Sequence, residues 1–196
     1  GSANITALPI TVTPNSGQTK VYGDVDPALT YTLSTPLLGS DSFGTTALSR
    51  VSGENVGTTA ITLGTLSAGS NYALTLGGAV TFGITARPIT VTASANSKEY
   101  DGSTTAIATP VVTGGLAFGD PANFTETYDT PSVGINKILT PSGTAGGNSG
   151  NNYAYTFVNN TTGVITAKAL TVSVLSLAGK VYYVNTTAVI SGTPSV

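Results

Sequence analysis

The sequence predicts an all-β protein built of tandem small antiparallel sandwiches. Three observations carry that reading: an internal repeat of about 80 residues, period-two alternation inside each repeat, and a near absence of helix signals. The segment Ile-Thr-Ala-Leu-Pro-Ile-Thr-Val at residues 5–12 returns as Ile-Thr-Ala-Arg-Pro-Ile-Thr-Val at 84–91 and as Ile-Thr-Ala-Lys-Ala-Leu-Thr-Val at 165–172, at spacings of 79 and 81 residues. Behind each start the register holds, with Lys-Val-Tyr at 20–22, Lys-Glu-Tyr at 98–100 and Lys-Val-Tyr at 180–182. Later, Val56-Gly57 matches Val133-Gly134, and the Asn-Tyr pair at 71–72 matches that at 152–153. The division that follows is a tag remnant and lead-in at 1–7, one unit at 8–87, a second at 88–168, and the start of a third at 169–196.

Along the first unit, Leu29, Tyr31 and Leu33 alternate with Thr30, Thr32 and Ser34, so one face is apolar and the other bears hydroxyls, as a half-buried strand requires. The same pattern marks Ile10–Thr13, Ala60–Leu63, Tyr72–Leu76 and Val80–Ile84, and then Ile89–Thr92, Tyr153–Val158 and Val164–Thr166 in the second unit. Turn clusters such as Tyr22-Gly23-Asp24, Ser52-Gly53-Glu54 and Ala68-Gly69-Ser70 punctuate the strands. Strand count favours an immunoglobulin-like sandwich. The alternative is a β-grasp-like unit with one short helix, for which Gly119–Phe124 supplies a single turn, Asp120 capping and Pro121 in the first helical position. Between the units only Arg87 and Pro88 intervene, too few residues for a flexible tether, so neighbouring units are expected to form a stiff array. The third start, too short to enclose a core, is expected to pack Leu170–Leu175 and Val181–Val184 on the second unit or on another chain by strand addition.

Composition removes several function classes. The 196 residues include no Cys and no His, which excludes imidazole and thiol catalysis, disulfides, and the common zinc, haem and iron–sulfur ligand sets. Seven basic against nine acidic side chains leave no excess of positive charge for a phosphate backbone, so nucleic acid is not an expected partner. No stretch reaches the ~18 consecutive apolar residues of a membrane span, although the mean hydropathy is +0.22. The Cys-free, Lys-poor, Thr- and Asn-rich composition suits a secreted or cell-surface bacterial protein.

The succession Lys-x-Tyr-Gly-Asp or Lys-x-Tyr-Asp-Gly, Val-Gly-Thr or Val-Gly, Asn-Tyr-x-x-Thr and a closing Ile-Thr resembles the MBG and YDG tandem repeats of large bacterial surface adhesins. Lys20-Val21-Tyr22-Gly23-Asp24 is similar to the MBG type that carries Tyr-Gly, and Lys98-Glu99-Tyr100-Asp101-Gly102 to the YDG type. The third copy departs, since Tyr182 is followed by Tyr183-Val184-Asn185. The resemblance implies stalk or spacer repeats that project a binding region and support attachment or biofilm formation, with neighbouring repeats as partners and with no catalytic residue and no cofactor.

Three chemistries have candidate residues. Lys20 and Lys98 could form intramolecular isopeptide bonds to an Asn or Asp, with Glu54 or Asp129 as catalyst; the competing reading is a lysine shielding a sheet edge, its stem along Tyr22 or Tyr100. Asp24 and Asp26 could offer oxygens to calcium, against turn capping. Tyr22 and Tyr100, with Tyr31, Tyr72, Tyr153 and Tyr155, could stack on sugars, making the chain a carbohydrate-binding module for extracellular polysaccharide or a host glycan; the alternative is core or corner packing. Threonine pairs such as Thr11 and Thr13 are too sparsely repeated for an ice-binding ladder, and the Asn123 and Asn160 sequons are read as idle. Catalysis by paired carboxylates lacks a recurring partner for Glu54, so no enzyme is expected.

Overall fold

The computed structural model describes residues 4–172. Fourteen strands form, seven in each unit and in the same order. In the first they are β1 (Leu8–Pro14), β2 (Thr19–Val21), β3 (Tyr31–Leu33), β4 (Ser49–Arg50), β5 (Gly57–Thr62), β6 (Tyr72–Leu76) and β7 (Thr81–Thr85). In the second they are β8 (Arg87–Thr92), β9 (Ser97–Glu99), β10 (Val111–Thr113), β11 (Ala122–Tyr128), β12 (Gly134–Ala145), β13 (Tyr153–Val158) and β14 (Asn160–Thr166). Each unit is a sandwich of a three-stranded and a four-stranded sheet, ordered β3-β1-β6 and β2-β7-β5-β4, then β10-β8-β13 and β11-β12-β14-β9.

The tandem all-β sandwiches are as expected, but their sheets are mixed where antiparallel pairing was expected. β1 runs parallel to β6 and β2 parallel to β7; β8 and β13, and β9 and β14, repeat the arrangement. The cause lies in the path of the chain. Residues 8–21 cross from the first sheet to the second, and residues 72–85 follow them side by side, from Leu8 opposite Tyr72 to Val21 opposite Thr85. Parallel pairing needs a long connection, and the strands between supply it. The β-grasp alternative also fails: the helical content of the described residues is one 3-10 turn at Asn148–Gly150. Gly119–Phe124 is not a helical turn, because Phe118 and Gly119 take positive φ and β11 begins at Ala122.

Alternation places the core where period two demands. Val12 on β1 faces Ile61, Phe82 and Ile84 of the opposing sheet, all buried, while the intervening threonines face solvent or half-exposed sites. In the second unit Ile89, Val91 and Tyr153 do the same, with Leu139, Tyr128 and Ile165 forming a smaller cluster at the far end. The larger cluster does not stop at the boundary. It runs from Val12 through Tyr22 to Tyr153, Phe124 and Ala145, so the two units share one contiguous apolar core. Of the third start, Leu170 and Val172 are exposed and so are not buried against the second unit; the remainder of that segment, 173–196, lies outside the described residues.

Candidate functional site

Two constellations of polar side chains stand out, one inside the first unit and one where the units meet.

Lys20 and Arg50 are almost fully buried, yet each keeps its charge against the same two carboxylates. Lys20 Nζ lies 2.6 Å from Asp26 and 2.5 Å from Glu54; Arg50 places Nε 2.6 Å from Asp26 and Nη2 2.6 Å from Glu54. The strands explain the convergence: β2 is a sheet edge that turns Lys20 inward, and Arg50 ends β4 at the other edge of the same sheet. Arg50 also donates to the Gly53 carbonyl and lies over the Phe82 ring, 5.4 Å from its centroid. Burial alone would lower the Lys20 pKa, but its hydrogen bonds to Asp26 and Glu54 more than offset that and hold it above its ordinary value. The Arg50 guanidinium pulls Asp26 down to about 2. The structure brings Lys20 onto an Asp and onto Glu54, the partner types the isopeptide reading names, as an ion-paired ammonium; of the edge-shielding reading, the edge strand is as expected and the burial is not.

The remaining candidates scatter. Lys98 binds Asp101 at 2.8 Å, the Ser103 hydroxyl and the Ser103 and Thr105 carbonyls, while Asp129 sits 3.2 Å from Lys137 instead. Asp24 turns to Arg87 and Asp26 to the Lys20–Arg50 pair, so the two do not converge on a common point, and no group of three or more potential metal ligands occurs among the described residues. Tyr72 and Tyr153 are core positions whose hydroxyls are engaged, with Asp41 and Asp120 respectively. Tyr22 is buried likewise, whereas Tyr100 is 43% exposed.

The second constellation is the joint. A single residue, Ala86, separates β7 from β8. Above it, the Tyr22 and Tyr153 phenols both donate to Asp120 Oδ2, at 3.0 and 2.7 Å, and their rings meet edge to face with centroids 5.5 Å apart. Phe118 packs on the other edge of Tyr22 at 5.3 Å. Burial first, then the Asp120 carboxylate, pushes the Tyr153 phenol up to about 12 and raises Tyr22 as well. Arg87 ties the chain together, donating to the Tyr22 carbonyl and pairing with Asp24, each at 2.9 Å. Fully buried Asn152 accepts from the Val56 amide at 2.9 Å and donates to Asn55 at 3.0 Å. Gly23, at φ +85°, lies so close to the second unit that a Cβ would collide with that of Ala117.

Two family models match this chain in succession, an MBG domain of the YGX type at residues 10–81 and a YDG domain at residues 85–162. Residues 10–81 belong to the MBG domain family and residues 85–162 to the YDG domain family, in tandem. No curated protein and no solved structure matches it. The Tyr-Gly pair of the MBG domain and the Asn-Tyr pair of the YDG domain are therefore the two halves of one joint: Tyr22 and Gly23 meet Asn152 and Tyr153 there. Recurrence in the sequence marks Tyr22, Asn152 and Tyr153, and Gly23 reads there as a turn residue, but nothing in it marks Asp120 or Asn55 as residues of the joint.

Proposed function

We propose that the MBG and YDG domains are mechanical spacer repeats of a secreted or cell-surface bacterial adhesin, projecting a binding region away from the cell in attachment or biofilm formation. The observation that carries this reading is the parallel pairing of each domain's first two strands with its last two. Tension enters the MBG domain at Leu8 and leaves at Thr85. Those ends belong to segments that lie side by side and parallel, through five residue pairs of β1 with β6 and three of β2 with β7. Pulling them apart slides the segments along each other, so all of those hydrogen bonds resist together. The YDG domain repeats the device with six pairs of β8 with β13 and three of β9 with β14. The joint then passes load on without slack, through Ala86 and the Tyr22–Asp120–Tyr153 contacts. In this reading the partners are neighbouring repeats, and no residue is assigned a catalytic role.

Single-molecule pulling in two geometries tests it. Handles at residues 8 and 85 shear the parallel segments. Handles at 8 and 71 start from one end of the β1–β6 pair, where the Leu8 amide bonds the Asn71 carbonyl at 2.8 Å, and unzip it bond by bond. The shear geometry is expected to need several times the force. Equal forces in the two geometries, or saturable binding of the chain to polysaccharide on a glycan array, would overturn the proposal in favour of the carbohydrate-binding reading.

A further inference from the structure

We propose that the far end of the YDG domain, the groove between Tyr100, Val133 and Leu170, is the seat of the next repeat, the one whose start is the third copy of the lead motif. The inference extends the spacer reading by naming the docking surface and its occupant.

The internal repeat makes the argument. Tyr100 is the counterpart of Tyr22, Val133 of Val56, and Lys168 of Arg87. At the first joint the following domain covers two of these positions, Tyr22 lying under Phe118 and Tyr153 and the Val56 amide bonding Asn152, while Arg87 reaches back to Asp24 of the MBG domain. At the far end Tyr100 and Val133 are open instead, 43% and 53% exposed, and with Ala167, Lys168 and Leu170 they line one groove. Apolar surface of this kind at a repeat boundary is what a stacked neighbour covers.

The chain itself delivers the occupant. It runs from β14 through Ala167 and Lys168 straight into the third start, with no linker between. Leu170 and Val172 are 68% and 69% exposed, whereas their counterparts Ile89 and Val91 are buried in a finished domain. By the repeat they correspond to first-strand core positions, and Leu170 itself lines the groove. The second seat differs in chemistry from the first. Asp101 stands where Gly23 gave clearance, and Ser132 replaces Asn55. Asp101 is already held by Lys98 and Ser103, so Tyr100 and Val133 lead the contact with apolar surface.

The test uses the absence of native cysteine. A three-domain chain is made by following Lys168 directly with a second copy of residues 88–168. Val133→Cys is paired with Asn152→Cys in the added copy, and oxidation is compared with a reference pair, Val56→Cys with Asn152→Cys of the original YDG domain, across the first joint. The expected result is disulfide formation at the second joint within about threefold of the reference rate. A second variant pairs Val133→Cys with Glu99→Cys at the far end of the added copy and should cross-link at least tenfold more slowly. If the reference pair closes while the Val133 pair closes no faster than that distant pair, the seat is refuted. If the added copy does not fold, Tyr100 should stay as solvent-exposed in the longer chain as in the original, by solvent isotope shift of fluorotyrosine, and that outcome also counts against the seat. Neither readout depends on force, so the spacer reading can fail while this seat stands, or the reverse.

Discussion

The phenol of Tyr22 in the MBG domain donates a 3.0 Å hydrogen bond to the carboxylate of Asp120 in the YDG domain, 98 residues further along the chain. Asp120 accepts from Tyr153 through the same oxygen, so one side chain closes the joint from both sides. Asp120→Ala leaves two buried phenols without an acceptor, at a cost of about 2–4 kcal/mol. Because the domains share one apolar cluster, the loss should also uncouple them. The expected outcome is a single calorimetric transition in the parent and two resolved transitions in the variant. A variant that still melts in one step would show that Asp120 does not couple the domains.

Gly23 makes a steric prediction at the same place. Its φ of +85° disfavours any side chain, and its Cβ would strike Ala117 across the joint. Gly23→Ala therefore carries two penalties, a backbone one of about 1 kcal/mol and a clash that pries the domains apart. Adding Ala117→Gly should relieve the second and not the first. Small-angle scattering should register a changed angle between domains for Gly23→Ala and a return toward the parent profile for the double variant.

High pH acts on the joint through Tyr153. Its folded-state pKa of about 12 lies above the ordinary 10.0, so the phenol contributes stability that is complete below pH 10 and is lost as pH rises from 10 to 12. Denaturant midpoints should fall across that window. In Tyr153→Phe, which cannot ionise, the fall should be shallower, although the variant starts lower by the hydrogen bond it lacks. An equally steep fall in both proteins would place the titrating group elsewhere.

Much of this was legible in the sequence. β6 and β13 coincide with the expected Tyr72–Leu76 and Tyr153–Val158, because apolar alternation there follows burial. β11 and β12 were missed for a physical reason. Glu126 occupies a core position between Phe124 and Tyr128, and a register shift at Asn136, φ +56°, turns Lys137 inward and Ile135 outward. The match of apolar residue to buried site is broken at Glu126 and from Ile135 to Ile138. The joint escaped notice because Asp120, preceding a proline, matches a helix cap locally, while its partners are set by tertiary contact alone. Lys20 was expected at the surface, since nothing in its spacing announces that Arg50 will share its two carboxylates.

That quartet gives a prediction at the acid end. Asp26 at about 2 lies below its ordinary 3.8, so its contribution to stability is complete above pH 4 and is lost as pH falls toward 2. Arg50→Met keeps an apolar stem of similar length but removes the guanidinium over Phe82 and with it the charge that lowers Asp26 most. Since both carboxylates are about half exposed, the cost at neutral pH should stay near 1–2 kcal/mol, below that of breaking a fully buried pair. Chemical denaturation at pH 7 and pH 3 should show the gap between parent and variant narrowing at the lower pH. A constant gap would mean that Arg50 acts by packing and not by charge.

Glu126 poses the opposite case. It is 1% exposed, and no cation among the described residues pairs with it. One oxygen accepts from the Ser94 amide at 2.7 Å, while Oε1 has no hydrogen-bond partner. The Nδ2 of Asn96, another buried atom of the YDG domain, also lacks a partner. An unpaired carboxylate in such a site costs more free energy than an amide of the same shape. Glu126→Gln retains an acceptor for Ser94, so it should stabilise the YDG domain by about 1 kcal/mol, raising its melting temperature by several degrees. Glu126→Ala separates shape from charge: it leaves the Ser94 amide unpaired and opens a void, and should destabilise by about 2 kcal/mol. Should Glu126→Gln instead melt below the parent, the buried carboxylate must be answering a donor within the domain, with the Asn96 amide the first to examine by amide-proton exchange.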